Sequence, residues 1–189
     1  PYGYLSGCIT RGATAISSNQ GLLVYRQVLP LDPLVVRSFL ESVIFVVILG
    51  LACAVLAWRG LFDAPVDVLQ VLVCLIGLML IASGSGIFVA LFARRFPDVA
   101  KLLPIPLRVL LFASCVLYPL HLVPYEFRSI FLLNPLVVIN EGIRQGLFPD
   151  YPTESLPLFY PIAFGIVTLW LGLAYYRYHF RSIYLPTLR

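Results

Sequence analysis

Long stretches without a charged side chain alternate with short, proline-rich, charged breaks, and this alternation lays out the helices. Four such runs stand out: Ser42–Trp58, Val68–Ala93, Val109–Tyr125 and Ser155–Tyr176. A helix needs about 20 mostly apolar residues to cross about 30 Å of hydrocarbon. With polar flanks added, the pattern predicts membrane-spanning helices over 34–59, 68–93, 102–123 and 155–176. The second is longer than required, so it is expected to tilt or to project beyond the hydrocarbon. Pro1–Ile16 is also apolar but has no clean start, and no basic segment precedes it. The expectation is that no signal peptide is in view and that the N-terminal part of the natural protein is missing.

A fifth run, Ser129–Asn140, is too short to cross. It lies among Pro119, Pro124, Pro135, Pro149, Pro152, Pro157 and Pro161. The segment 124–148 is therefore expected as two short re-entrant helices, about Pro124–Leu133 and Pro135–Leu147, before the last span. Asn134 suits the cap and Pro135 the first position of the second helix. Glu141 and Arg144, three apart on one helix face, either pair with each other or face a passage through the protein. Near the other end, Leu29-Pro30-Leu31-Asp32-Pro33 cannot be mid-helix and predicts a turn.

Composition agrees with a bilayer as solvent. The chain is 60% hydrophobic and 12% charged, with a mean hydropathy of +0.94, whereas a soluble domain is nearer half apolar and a quarter charged. The fold class expected is an all-α polytopic membrane protein. Charge placement gives its orientation. Arg26, Arg37, Arg94, Arg95, Lys101, Arg108, Arg177, Arg181 and Arg189 fall on one side of the predicted spans, and Arg59, Arg128 and Arg144 on the other. The positive-inside bias places the first set in the cytoplasm, with 177–189 as a cytoplasmic tail. Trp58, Tyr118, Tyr125, Trp170, Tyr175, Tyr176 and Tyr178 cluster near predicted span ends, as interfacial anchors do. The net charge of +4 is spread over separate loops and does not indicate nucleic acid.

The motifs favour packing over catalysis. Cys8, Cys53, Cys74 and Cys115 lack metal-ligand spacing and read as small buried hydrophobes. Ser83-Gly84-Ser85-Gly86 does not meet an elbow-type nucleophile spacing. Ala82, Gly86 and Ala90 recur every four residues, which lets two helices approach closely. His121 reads as an interfacial histidine and His179 as part of the tail. Arg37 and Glu41 are placed to pair on one face at a membrane edge, or to meet a partner. With no charge expected deep in a span, an ion-coupled secondary transporter is disfavoured. No phosphate-binding loop of Walker type occurs, so any energy for transport must come from another subunit. No catalytic, cofactor-binding or metal-ligating residue is assigned.

An ordered set of short matches then resembles a known family. Asn19-Gln20-Gly21-Leu22, Tyr25-Arg26, Val28-Leu29-Pro30-Leu31-Asp32, Arg37 and Glu41 come first. Arg95-Phe96-Pro97-Asp98-Val99, Tyr118-Pro119-Leu120-His121, Asn134-Pro135-Leu136-Val137, and Arg144 ahead of Gly146 follow. Together these resemble the membrane (permease) subunit of capsular polysaccharide ABC exporters, within the ABC-2 type polysaccharide export permeases. The resemblance implies a six-helix permease lacking its N-terminal part, a single transmembrane domain over 1–189. In that picture 1–24 is the second span entered partway. Segment 26–33 is a cytoplasmic coupling segment, with Arg26, Val28, Leu29, Pro30, Leu31 and Asp32 docking on a separate ABC ATPase subunit that binds the ATP and Mg. The permease is expected as a homodimer in the bacterial inner membrane, moving a lipid-linked polysaccharide.

A conduit for sugar suits aromatic faces and hydroxyls. Phe112, Ser114, Tyr118, Asn134, Glu141 and Arg144 are the candidate path or gate residues. A permease for O-antigen, teichoic acid, or small lipids and drugs is the alternative. A membrane enzyme is disfavoured, because neither an acidic metal cluster nor a nucleophile constellation is present in the sequence.

Overall fold

The computed structural model describes residues 1–19, 21, 28–60, 67–148, 151–152 and 156–184. Among the described residues the chain is helical, with no strand. The helices are α1 (Tyr2–Ser18), α2 (Asp32–Trp58), α3 (Val68–Arg95), α4 (Pro97–Leu102), α5 (Pro104–Ala113), α6 (Tyr125–Leu132), α7 (Pro135–Leu147) and α8 (Phe159–Tyr184). Among the described residues, three segments, Asp32–Trp58, Val68–Arg95 and Phe159–Tyr178, are long and apolar enough to cross a membrane. At 1.5 Å per residue, α2 and α3 are each about 40 Å long, more than the hydrocarbon requires.

Helix α3 is the hub, with α1, α7 and α8 packed around it. Its approach to α8 rests on glycine. A methyl group added at Gly84 would lie 2.4 Å from the Leu169 backbone nitrogen, and one at Gly165 would lie 2.6 Å from Leu80 Cβ. At Gly172 it would lie 2.8 Å from the Gly84 carbonyl oxygen, and at Gly77 3.1 Å from Pro161 Cβ. Gly77 and Gly84 are seven apart, as are Gly165 and Gly172, so the small residues stay on one seam between two parallel helices. The seam expected from Ala82, Gly86 and Ala90 faces α1 instead. Gly86 lies against the Cys8 carbonyl, and Ala90 packs with Ala15 and Ile16. The hydroxyls of Ser83 and Ser85 bond back to the carbonyls of Met79 and Ile81.

Helix α2 is the opposite case. Its buried residues are Leu34 and Glu41, and an array of Val, Ile, Leu and Phe is exposed along it. A helix apolar on every face is stable with that surface in lipid or against other apolar helices.

The expected span over 102–123 is not one helix. Pro104 begins α5 afresh after Leu103, and α5 ends at Ala113 after about 15 Å. Beyond it Cys115 adopts a positive φ of 51°, sparsely allowed for a residue with a side chain, and Pro119 prevents the helix from resuming. Hydropathy registers the apolar run but not this break. The segment taken as a tail from 177 continues helically to Tyr184. The two short helices expected around Asn134-Pro135 are present as α6 and α7, and the Asn134 side chain caps α7 by accepting from the Leu136 N–H.

Close approach at Gly84 gives a direct test. Gly84→Ala is expected to destabilise the fold by about 1–3 kcal/mol through overpacking against Leu169. Gly50→Ala, where nothing lies within 4 Å, is expected to be neutral. Thermal unfolding of the detergent-solubilised protein measures both, and equal effects would contradict the packing described.

Candidate functional site

The break after α5 leaves carbonyl groups without helical partners, and side chains of the following segment take them up. Ser114 Oγ donates to the Leu110 carbonyl at 2.5 Å, and Asn134 Nδ2 donates to that of Ala113 at 3.1 Å. Asn140 Nδ2 donates to the Ser114 carbonyl at 2.8 Å, and Tyr118 OH to that of Phe112 at 2.8 Å. Arg144 reaches the carbonyls of Val116, at 3.0 Å, and Tyr118. Arg128 reaches those of Val123, at 2.9 Å, and His121, at 2.8 Å. A buried peptide group left unpaired is costly, so this polar set is what permits an irregular backbone inside an apolar bundle.

Glu141 anchors the set. It is almost fully buried, and it accepts from Arg144 Nη1 at 2.6 Å, from Tyr151 OH at 2.6 Å and from the Leu120 N–H at 3.2 Å. Burial, and then the bond to this carboxylate, push the Tyr151 hydroxyl well above its ordinary pKa, so it remains a donor. Helix α7 holds Glu141 in place by packing antiparallel to the first half of α3. A methyl group added at Gly142 would meet Cys74 Sγ at 2.5 Å, and one at Gly146 would meet Val71 Cγ2 at 2.6 Å. The Asp67 N–H donates to the Gly146 carbonyl at 3.1 Å. The start of α7 meets the end of α5 at Ser114, so the two part-length helices abut there.

The structure separates the expected path residues. Asn134, Ser114, Glu141 and Arg144 come together in the polar set, with Ser114 fully buried and Glu141 nearly so. Tyr118 stands beside them, its ring edge-on to Phe131. Phe112 points elsewhere. It is exposed and lines a groove of about 380 Å³ with Pro104, Ile105, Arg108 and Val109 on the outer face of α5. The His121 and Tyr151 rings also meet edge-on.

Of the expected coupling segment, Arg26 lies outside the described residues. Val28 to Asp32 form a tight turn: Asp32 Oδ2 accepts from the Leu29 N–H at 2.8 Å, and the Asp32 N–H donates to the Leu29 carbonyl at 3.0 Å. Pro30 is fully buried. Val28 and Leu31 pack on the cluster of Ala15, Ile16, Leu34 and Leu91, whereas Leu29 and Asp32 remain exposed. The turn is held from beneath and presents Leu29 outward.

Glu41 sits nine residues into α2, about 13 Å from its start, and its side chain is 7% exposed. It pairs with Arg37 as expected, at 3.2 Å, and also with Arg11 of α1 at 2.5 Å. Arg11 is absent from the charge balance read off the sequence. An arginine inside the apolar stretch at the chain's start was the available signal, since such a charge needs a partner.

Apolar helices of spanning length around a small-residue hub, followed by two part-length helices held by buried polar groups, define a polytopic membrane protein with a broken penultimate segment. The chain belongs to the ABC-2 type transporter membrane family, whose model matches residues 8–148. It is 36% identical over 177 residues to the polysialic acid transport protein KpsM of Escherichia coli, covering 94% of this chain and 69% of the relative. It is 29% identical over 163 residues to the capsule polysaccharide export inner-membrane protein CtrC of Neisseria meningitidis, covering 85% of this chain and 60% of that protein. The capsule polysaccharide export inner-membrane protein BexB of Haemophilus influenzae is also 29% identical over 163 residues, covering 86% and 62%.

The geometry of the polar set predicts a stability effect. Glu141→Ala strands the largely buried Arg144 and the Leu120 N–H, and is expected to cost about 3–5 kcal/mol. Arg144→Ala frees the Val116 and Tyr118 carbonyls and is expected to lower the yield of folded protein in the same direction. Membrane abundance and thermal unfolding read both. Normal abundance and unchanged unfolding in the two variants would contradict a structural role for the pair.

Proposed function

We propose that the chain is the membrane subunit of an ATP-driven exporter that moves a lipid-linked capsular polysaccharide across the bacterial inner membrane. The observation that carries this is membership of the ABC-2 type family together with relatives named for export of polysialic acid and capsule polysaccharide. ATP and Mg belong to a partner ATPase subunit, and the permease acts as a homodimer of six-helix subunits. In this reading α1 is part of the second span, α2 and α3 are the third and fourth, α5 with the segment after it is the fifth, and α8 is the sixth. Helices α6 and α7 re-enter the outer leaflet. Their polar anchoring supports this, because broken backbone at membrane depth persists only where protein satisfies it.

The exit gate is the segment from Ser114 to Arg144. Glu141 and Arg144 set its shape, Tyr118 and Asn134 stand at its inner turn, and Phe112 lines the approach along α5. The ATPase docks on the turn at Val28 to Asp32, through Leu29 and Asp32.

Two measurements test this reading. Leu29→Asp changes an exposed side chain and leaves the packed Leu31 intact, so the permease is expected to insert normally while it loses the co-purifying ATPase and surface polymer. Normal co-purification and export would remove the coupling assignment. In a background without native cysteines, Glu126→Cys is expected to react with an impermeant thiol reagent in intact inner-membrane spheres, and Asp98→Cys only after permeabilisation. The reverse pattern would invert the topology.

A further inference from the structure

The ion cluster between α1 and α2 is not neutral. One carboxylate, Glu41, accepts from two guanidinium groups, those of Arg11 and Arg37, so one positive charge is left over. Among the described residues, the Nε–H of Arg37 is buried without a partner. The Arg11 side chain is 53% exposed, so the excess charge is presented at the surface of the helix pair. It opens onto a groove of about 380 Å³ whose lining runs from Arg11 and Glu41 past Tyr4, Ile44, Phe45 and Ile48 to Gly3 and Pro1.

The groove is amphipathic along its length. Arg11 and Glu41 stand at one end, toward the start of α2. Ile44, Phe45 and Ile48 follow by one and two helical turns into the apolar body of α2. Tyr4 stacks on Phe45 and shares a hydrogen bond with Ser42 at 2.7 Å, which fixes the wall between the two helices. An excess cation at one end and an apolar trough leading toward the bilayer centre match a phosphate head and its acyl chain. Membrane arginines between helices on the cytoplasmic side attract anionic lipid heads in this way, and the long arginine stem lets its charge reach toward the interface.

We propose that this groove is a binding site for an anionic phospholipid, with its phosphate on Arg11 and an acyl chain along Ile44, Phe45 and Ile48. The assignment of the lipid to the cytoplasmic leaflet rests on the orientation proposed above, whereas the site itself does not depend on it.

The test uses the complete permease in detergent, titrated with phosphatidylglycerol and with phosphatidylcholine and read by native mass spectrometry. Wild type is expected to retain phosphatidylglycerol in preference to phosphatidylcholine. Arg11→Gln is expected to weaken phosphatidylglycerol roughly fivefold, the worth of one charge near a lipid head, and Arg11→Lys to keep most of the preference. Ile44→Trp fills the trough without touching the ion cluster. It is expected to displace the lipid, and it decides the question if Arg11→Gln does not fold. Phosphatidylglycerol binding unchanged by both Arg11→Gln and Ile44→Trp overturns the proposal, the groove being then covered by protein. Binding of a lipid-linked oligosaccharide with no binding of phosphatidylglycerol also overturns it. Surface polymer in the same strains reports on the export reading separately.

Discussion

Everything beyond α5 depends on one constraint: a helix that stops inside an apolar bundle must find hydrogen-bond partners within the protein. A peptide group that water cannot reach must be paired within the protein. The carbonyls of Leu110, Phe112, Ala113, Ser114, Val116, Tyr118, His121 and Val123 are each taken by a side chain. Those side chains come largely from the segment that follows the break, so the fold-back of α6 and α7 and the break in α5 require each other. Glu141 joins them, because it holds the Leu120 N–H and orients the guanidinium of Arg144. A single buried carboxylate thus links the helix that packs on α3 to the irregular backbone that α5 leaves behind.

The rest of the bundle follows from the weakness of apolar attraction between helices in lipid. There, helices associate through close van der Waals contact, and small residues provide it. The Gly84 backbone lies against Leu169 and Gly172, and Gly86 against Cys8, so α3 uses nearly opposite faces for α8 and α1. The same solvent explains why α2 buries its carboxylate and exposes its valines. A buried Glu41 is stable only with arginines beside it, and α1 supplies the second of these.

Much of this was legible in the sequence. The absence of charge over Val68–Ala93 marks α3 to within two residues of its end at Arg95, and Asn134-Pro135 marks the start of α7. The break after Ala113 was hidden, because residues 114–123 are as apolar as a span and the positive φ at Cys115 has no local sequence signal. The α8 seam was hidden for a different reason. Gly77 and Gly84 repeat at seven, and their partners Gly165 and Gly172 lie far along the chain, so the four-residue pattern at Ala82, Gly86 and Ala90 was the visible one. At the candidate gate the structure shows hydrogen bonds that residue type alone does not indicate. Ser114 and Glu141 bond to peptide groups, because the backbone's unmet hydrogen bonds claim them first.

The central proposal is that α6 and α7 fold back to bilayer depth and that buried polar groups hold them there. A spin label at Leu133, which is exposed beside the α6–α7 turn, reads this depth most directly when the protein is reconstituted in vesicles. The account predicts fast relaxation by oxygen and little by a water-soluble nickel chelate, the signature of hydrocarbon. A label relaxed readily by the nickel chelate and weakly by oxygen would place the turn at the aqueous surface and contradict it.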